Sequence, residues 1–222
     1  SAVKVALVLI CLAAPAAAQQ TFTLPEGCDA YLTVQSESCQ VDHHFTCQGD
    51  TDGHQRRVSI DEEGVAYVGE IDRETQWINS FHVRSGHREA LESNPTEPAS
   101  LSELIEKGVD DYDFRTLSDE IGTTRYVGQD TLTGREITID GVTLAETTYD
   151  ITAFDEAGNE VWSSKGKEFI SRNWRMFIAG SGTVTTPNGE FEQSNRPVEF
   201  IYPGEPGFLS SSPKHGCGVA IS

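Results

Sequence analysis

From residue 56 onward the chain alternates apolar and polar side chains in short runs separated by polar turns, the period-two pattern of strands with one buried face. Residues 56–60 alternate, Asp61-Glu62-Glu63-Gly64 reverses the chain, and residues 65–71 return. A third run over 76–83 places Trp77, Phe81 and Val83 on one face and completes a meander. A polar break over 85–97 follows. The pattern then changes period: Leu101, Leu104, Ile105, Val109 and Tyr112 recur at helical spacing behind a capping box of Ser100 and Glu103. One stripe of this helix faces a core, and Glu103, Glu106, Asp110 and Asp111 form its solvated side. Gly108 either weakens the helix or marks an early end.

The second half returns to period two. Residues 125–129 precede a turn at 130–134, and residues 136–139 meet Asp140-Gly141, from which residues 142–154 leave. Asp-Gly between alternating runs is the strongest short-range hairpin signal. A turn at 155–159 leads to residues 160–164, and one long strand over 168–178 carries Phe169, Trp174 and Phe177. After Asn188-Gly189 come residues 190–193. Pro197 places the last strand, 198–202, at a strand start or a sheet edge. With a short helix over 29–34, these elements predict an α+β fold of roughly nine strands, a curved antiparallel half-barrel-like sheet with one central helix. Residues 19–222 read as one β-rich domain, with 203–222 an extended C-terminal arm.

The N-terminus reads differently. Lys4, an apolar run over 5–14 and the small residues Ala16, Ala17 and Ala18 predict a cleaved signal peptide over 1–18. The apolar run is too short to span a bilayer, and no later run is longer, so no membrane span is expected after cleavage. The expected location is the bacterial periplasm or the medium. In that setting Cys28, Cys39, Cys47 and Cys217 should form two disulfides. Three pairings are allowed. Each joins two of the first three cysteines and ties the remaining one to Cys217, which has no local partner, and the sequence does not choose among them.

Charge and motifs narrow the function mainly by exclusion. The chain carries 35 acidic against 16 basic side chains, a net charge of −19, which argues against nucleic acid as a partner. The stretch Gln48-Gly49-Asp50-Thr51-Asp52-Gly53 resembles part of a calcium loop but has Ser59 where a ligating Glu is needed, so it reads as a polar turn. Adjacent His43 and His44 point to opposite faces of a strand, whereas His82 and His87 can converge across a strand end; no metal site and no cofactor are assigned. Nucleophile elbow, zinc-protease helix and phosphate loop are all missing from the sequence, and no catalytic residue is assigned. Aromatic residues on the expected strands are the candidates for a ligand pocket: Trp77, Phe81, Trp162, Phe169, Trp174 and Phe177.

The order of a short N-terminal helix, a three-stranded meander, a central helix and a long antiparallel run with Asp-Gly and Asn-Gly turns resembles the periplasmic lipoprotein carriers of the LolA/LolB-like half-barrel type over residues 28–202. That resemblance implies a curved sheet with a helical lid over a hydrophobic cavity for acyl chains, and no catalytic step. The four cysteines depart from it. The expected function is therefore that of an exported, non-enzymatic binding protein for a lipid or other apolar ligand. The alternative is a cell-envelope protein–protein module with a filled core and an acidic surface.

Overall fold

The computed structural model describes residues 20–218; the expected signal peptide lies outside the described residues. All its strands join one curved antiparallel sheet. In chain order they are β1 (Cys28–Ser36), β2 (Gln40–Cys47), β3 (Gln55–Asp61), β4 (Gly64–Ile71), β5 (Trp77–His82) and β6 (His87–Leu91). The helix α1 (Leu101–Lys107) intervenes. Then come β7 (Val109–Leu117), β8 (Thr124–Ile139), β9 (Val142–Phe154), β10 (Glu160–Ser171), β11 (Met176–Thr186), β12 (Gly189–Ser194) and β13 (Pro197–Ile201). The described residues thus form 13 strands rather than about nine. Neighbours in the sheet are neighbours in sequence, except that β13 crosses back to pair with β1.

Several turns form where local chemistry demands them. Asp140 and Gly141 both adopt positive φ, 47° and 78°, as the two-residue turn between β8 and β9 requires. Ser100 caps α1 by accepting from the Glu103 backbone N–H, and Gly108 closes the helix in the left-handed conformation. The early end is the one realised, so Val109, Asp110, Asp111 and Tyr112 belong to β7 rather than to the helix. Leu101 and Leu104 are buried against Ala145 and Ile170, each such burial contributing roughly 2 kcal/mol.

Other expectations are corrected. Residues 29–34 lie within β1 rather than in a helix, residues 87–91 form β6 inside the expected break, and β8 continues through the expected turn at 130–134, where its register with β9 shifts between Leu132 and Glu136 and Gly134 takes positive φ. The expected strand over 168–178 is two strands. It reverses at residues 172–175, where Arg175 takes positive φ and Ser171 Oγ accepts from the Trp174 N–H. Pro197 does open β13, which lies at an edge of the sheet.

The sheet curls so that its two ends share a core. Leu32 and Val34 of β1 and Phe200 of β13 pack with Leu144, Phe169, Met176 and Ile178 from β9–β11. Close backbone approach assists the bend: a Cβ at Gly182 would collide with the Tyr149 hydroxyl, and one at Gly166 with the facing Ser181 carbonyl. The outer face of β1 and β2 is covered as well. Thr33 Oγ1 contacts His43 Nδ1 at 2.8 Å and accepts from the Leu209 N–H, while His43 Nε2 meets the Ser210 carbonyl at 2.9 Å. Gln35 bonds to Ser212 and Lys214. The disulfides are Cys28–Cys47 and Cys39–Cys217, one of the three allowed pairings, and the second ties the C-terminal segment to the β1–β2 hairpin. Both belong to an oxidising compartment. No helix among the described residues is long and apolar enough to cross a membrane.

Candidate functional site

A cavity of about 630 Å³ opens on the face of the sheet between β5, β7–β12 and the segment preceding α1. Its floor is aromatic because the cross-strand partners Phe114 and Tyr126 share a face against which Trp77 packs. Trp77 meets Phe114 and Tyr126 edge-on at ring distances of 5.6 and 5.0 Å, and Tyr126 lies 6.2 Å from Trp162. Val161 and Phe191 stand at its mouth with 42% and 52% of their surface exposed, so apolar lining continues to solvent.

Of the six sequence candidates, Trp77, Trp162 and Phe177 line this cavity. Phe177 also packs beside the helix cluster, which places α1 behind that wall. The remaining three lie elsewhere. A register shift between Glu70 and Ile71 pairs Trp77 with Ile71 but Phe81 with Val68, so the two aromatics of β5 fall on opposite faces. Phe81 lines a second, more polar cavity and carries the Arg88 guanidinium 3.9 Å above its ring. Phe169 is buried in the core shared by the two ends of the sheet. Trp174 stacks on Phe200 at 5.6 Å. Asp50 of the calcium-like stretch is an ion-pair partner of Arg56 at 2.6 Å. Cys39 and Cys217 approach Glu62, but their sulfurs are joined to each other.

Polar chemistry enters the cavity through carboxyl groups that the sequence pattern assigns to a turn (Asp130), a solvated helix face (Asp110) and the start of a strand (Glu168). Asp110 on β7 and Asp130 on β8 are cross-strand partners, both buried. Asp130 lines the cavity together with Glu168 of β10. Burial pushes the Asp130 carboxyl up to about 8, reinforced by repulsion from Glu168 and Asp110. Burial raises Glu168 to about 7, with the Arg57 guanidinium opposing it. Asp110 rises to about 6 by burial, against the stabilising hydrogen bond from the Ser100 N–H. Near neutral pH the cavity therefore holds carboxyl groups that retain protons. Such groups donate hydrogen bonds, or lose their protons when a cation arrives. Two signals are present in the sequence. Asp110 continues a period-two run through Tyr112 and Phe114, and Asp130 lies four residues from Tyr126, on the same face of an unbroken strand.

Compared with family models, curated proteins and solved structures, the chain finds no match.

Proposed function

We propose that the protein is an exported, non-enzymatic binding protein that holds an apolar or amphiphilic small molecule in the concavity of a half-barrel-like sheet. The observation that carries this reading is the cavity itself: aromatic walls around a volume in the usual range of ligand pockets, with a few convergent polar groups inside. The acids at Asp130 and Glu168 sharpen the ligand class. An anionic head, such as that of a free fatty acid, would be repelled once they ionise, whereas a neutral acceptor or an amine would be held. The element order that suggests a lipoprotein carrier carries no weight in this reading, since six strands rather than a helix and three strands precede α1.

Native and denaturing mass spectrometry of the oxidised protein test the reading. An added mass of several hundred daltons, seen only under native conditions, is expected. Titration with a neutral naphthylamine probe should quench Trp fluorescence, because two of the three tryptophans, Trp77 and Trp162, line the cavity. A chain that carries no added mass and neither binds nor responds to the probe overturns the reading. The envelope protein–protein module would then stand ahead, favoured by the exposed Val161 and Phe191.

A further inference from the structure

We propose that His82, His87 and Glu89 form a binding site for one divalent transition-metal ion, with Zn²⁺ the ion that best suits the donors. Its donor residues lie outside the aromatic cavity. It arises from the β5–β6 hairpin. His82 and His87 are directly opposed cross-strand partners, so both imidazoles project from the same face, and Glu89, two residues beyond His87, shares it.

The two rings stack at 4.4 Å with an interplanar angle of 20°, which carries both Nε2 atoms to one side. They converge on a single carboxylate oxygen: Glu89 Oε2 lies 3.0 Å from His82 Nε2 and 3.4 Å from His87 Nε2. All the donor atoms lie within 4.8 Å of one another. The second separation is long for a hydrogen bond. Both, however, bracket the edge of a tetrahedron built from bonds of about 2.0–2.1 Å, which is about 3.3 Å. Two imidazoles and one carboxylate are a donor set typical of zinc sites that keep a fourth position for water or substrate.

The surroundings orient these donors as a metal site needs. The other Glu89 oxygen accepts from the Tyr126 hydroxyl at 2.6 Å and the Thr116 hydroxyl at 2.7 Å, which leaves Oε2 as a monodentate ligand. Ser85 Oγ lies 2.6 Å from His87 Nδ1; when Nδ1 donates to it, the lone pair sits on Nε2. Glu89 is buried, while His82 keeps 40% of its side-chain surface exposed, so an ion can enter from solvent and retain an open position. The excess of acidic side chains raises the local concentration of any cation.

The test is calorimetric titration of the full, disulfide-bonded chain with Zn²⁺ after chelator stripping, with native mass spectrometry for stoichiometry. One ion per chain is expected. His82→Ala and His87→Ala should each weaken binding at least tenfold, and Glu89→Gln by a similar or larger factor. His54→Ala and His215→Ala, which remove histidines paired with single carboxylates elsewhere, should leave affinity within twofold. Since Glu89 is buried, the half-exposed His82→Ala decides the matter if Glu89→Gln fails to fold. Co²⁺ should give the intense visible bands of a four-coordinate nitrogen and oxygen site. Failure of the wild-type chain to bind Zn²⁺ stoichiometrically overturns the proposal, as does binding that survives the His82→Ala, His87→Ala double substitution.

Discussion

The β1–β2 and β11–β12 hairpins sit toward opposite ends of one sheet and are built to opposite specifications. In β1 and β2 a central run of side chains is buried on both faces: Leu32 and Val34 inward, Thr33, Gln35 and His43 outward beneath the C-terminal segment. Every residue of β12 is exposed, and its Phe191 serves only the mouth of the cavity. A strand sealed on both sides fixes geometry. One with an open face and edge can move at small cost, as the outer wall of a binding site must. The contrast shows that polar residues share the sealing with an apolar cluster of Val41, Phe45 and Phe22 at one end, whereas apolar residues are left uncovered at the other.

The largest expected effect comes from unfastening the sealed end. Cys39→Ser with Cys217→Ser opens a closure of 178 residues and should cost about 5 kcal/mol in the chain-entropy model. Cys28→Ser with Cys47→Ser, a separation of 19, should cost about 3 kcal/mol. Denaturant unfolding measures both, and equal losses would break the idea that the C-terminal closure is the stronger fastening.

Next comes Asp130→Asn in the cavity. The folded carboxyl titrates near 8 and the unfolded one near about 4, so between those values the unfolded chain releases its proton first and stability falls as pH rises. Glu168 and Asp110 add in the same direction, with Arg57 opposing at Glu168. Asn removes the Asp130 share. The variant should gain on the order of 3 kcal/mol at pH 8 and almost nothing at pH 4, with a flatter melting profile across that range. A profile parallel to wild type would refute the buried-acid account.

Two smaller effects sharpen the contrast. Thr33→Val keeps shape but strands His43 Nδ1 and the Leu209 N–H, at about 1–3 kcal/mol in urea unfolding. Phe191→Ser should change stability by no more than about 0.5 kcal/mol while weakening naphthylamine binding several-fold. If Phe191→Ser destabilised as much as Thr33→Val, the exposed wall would be structural after all.

These differences explain what is legible in the sequence. Asp140-Gly141, the Ser100 cap, Pro197 and the presence of two disulfides rest on local chemistry or simple parity, and each is found as expected, whereas which cysteines pair is set by the tertiary fold. The start of β1 reads as a helix because double-sided burial removes the alternation that marks a strand. The reversal after Ser171 contains neither Gly nor Pro. Half of the aromatic candidates reach the cavity. The departure at Phe81 follows from the β5 register shift, since one displaced residue exchanges faces and no local pattern announces it. Asp110 and Asp130 are hidden for another reason: Asp110 beside Asp111 looks like a solvated helix face, and Asp130 ahead of Gly134 looks like a turn, until their cross-strand pairing is known.

The return of β13 to β1 also sets an order of events in time. Every other strand pair joins strands consecutive in the chain, the longest connection being the α1 segment between β6 and β7, and can form as soon as both strands exist. The β1 edge alone must wait for a strand more than a hundred and fifty residues later in the chain, residues 197–201. During that interval β1 presents unpaired backbone donors and acceptors. Aggregation, strand exchange between nascent copies and chaperone capture would all compete for that one edge, and the late arrival of β13 ends the contest.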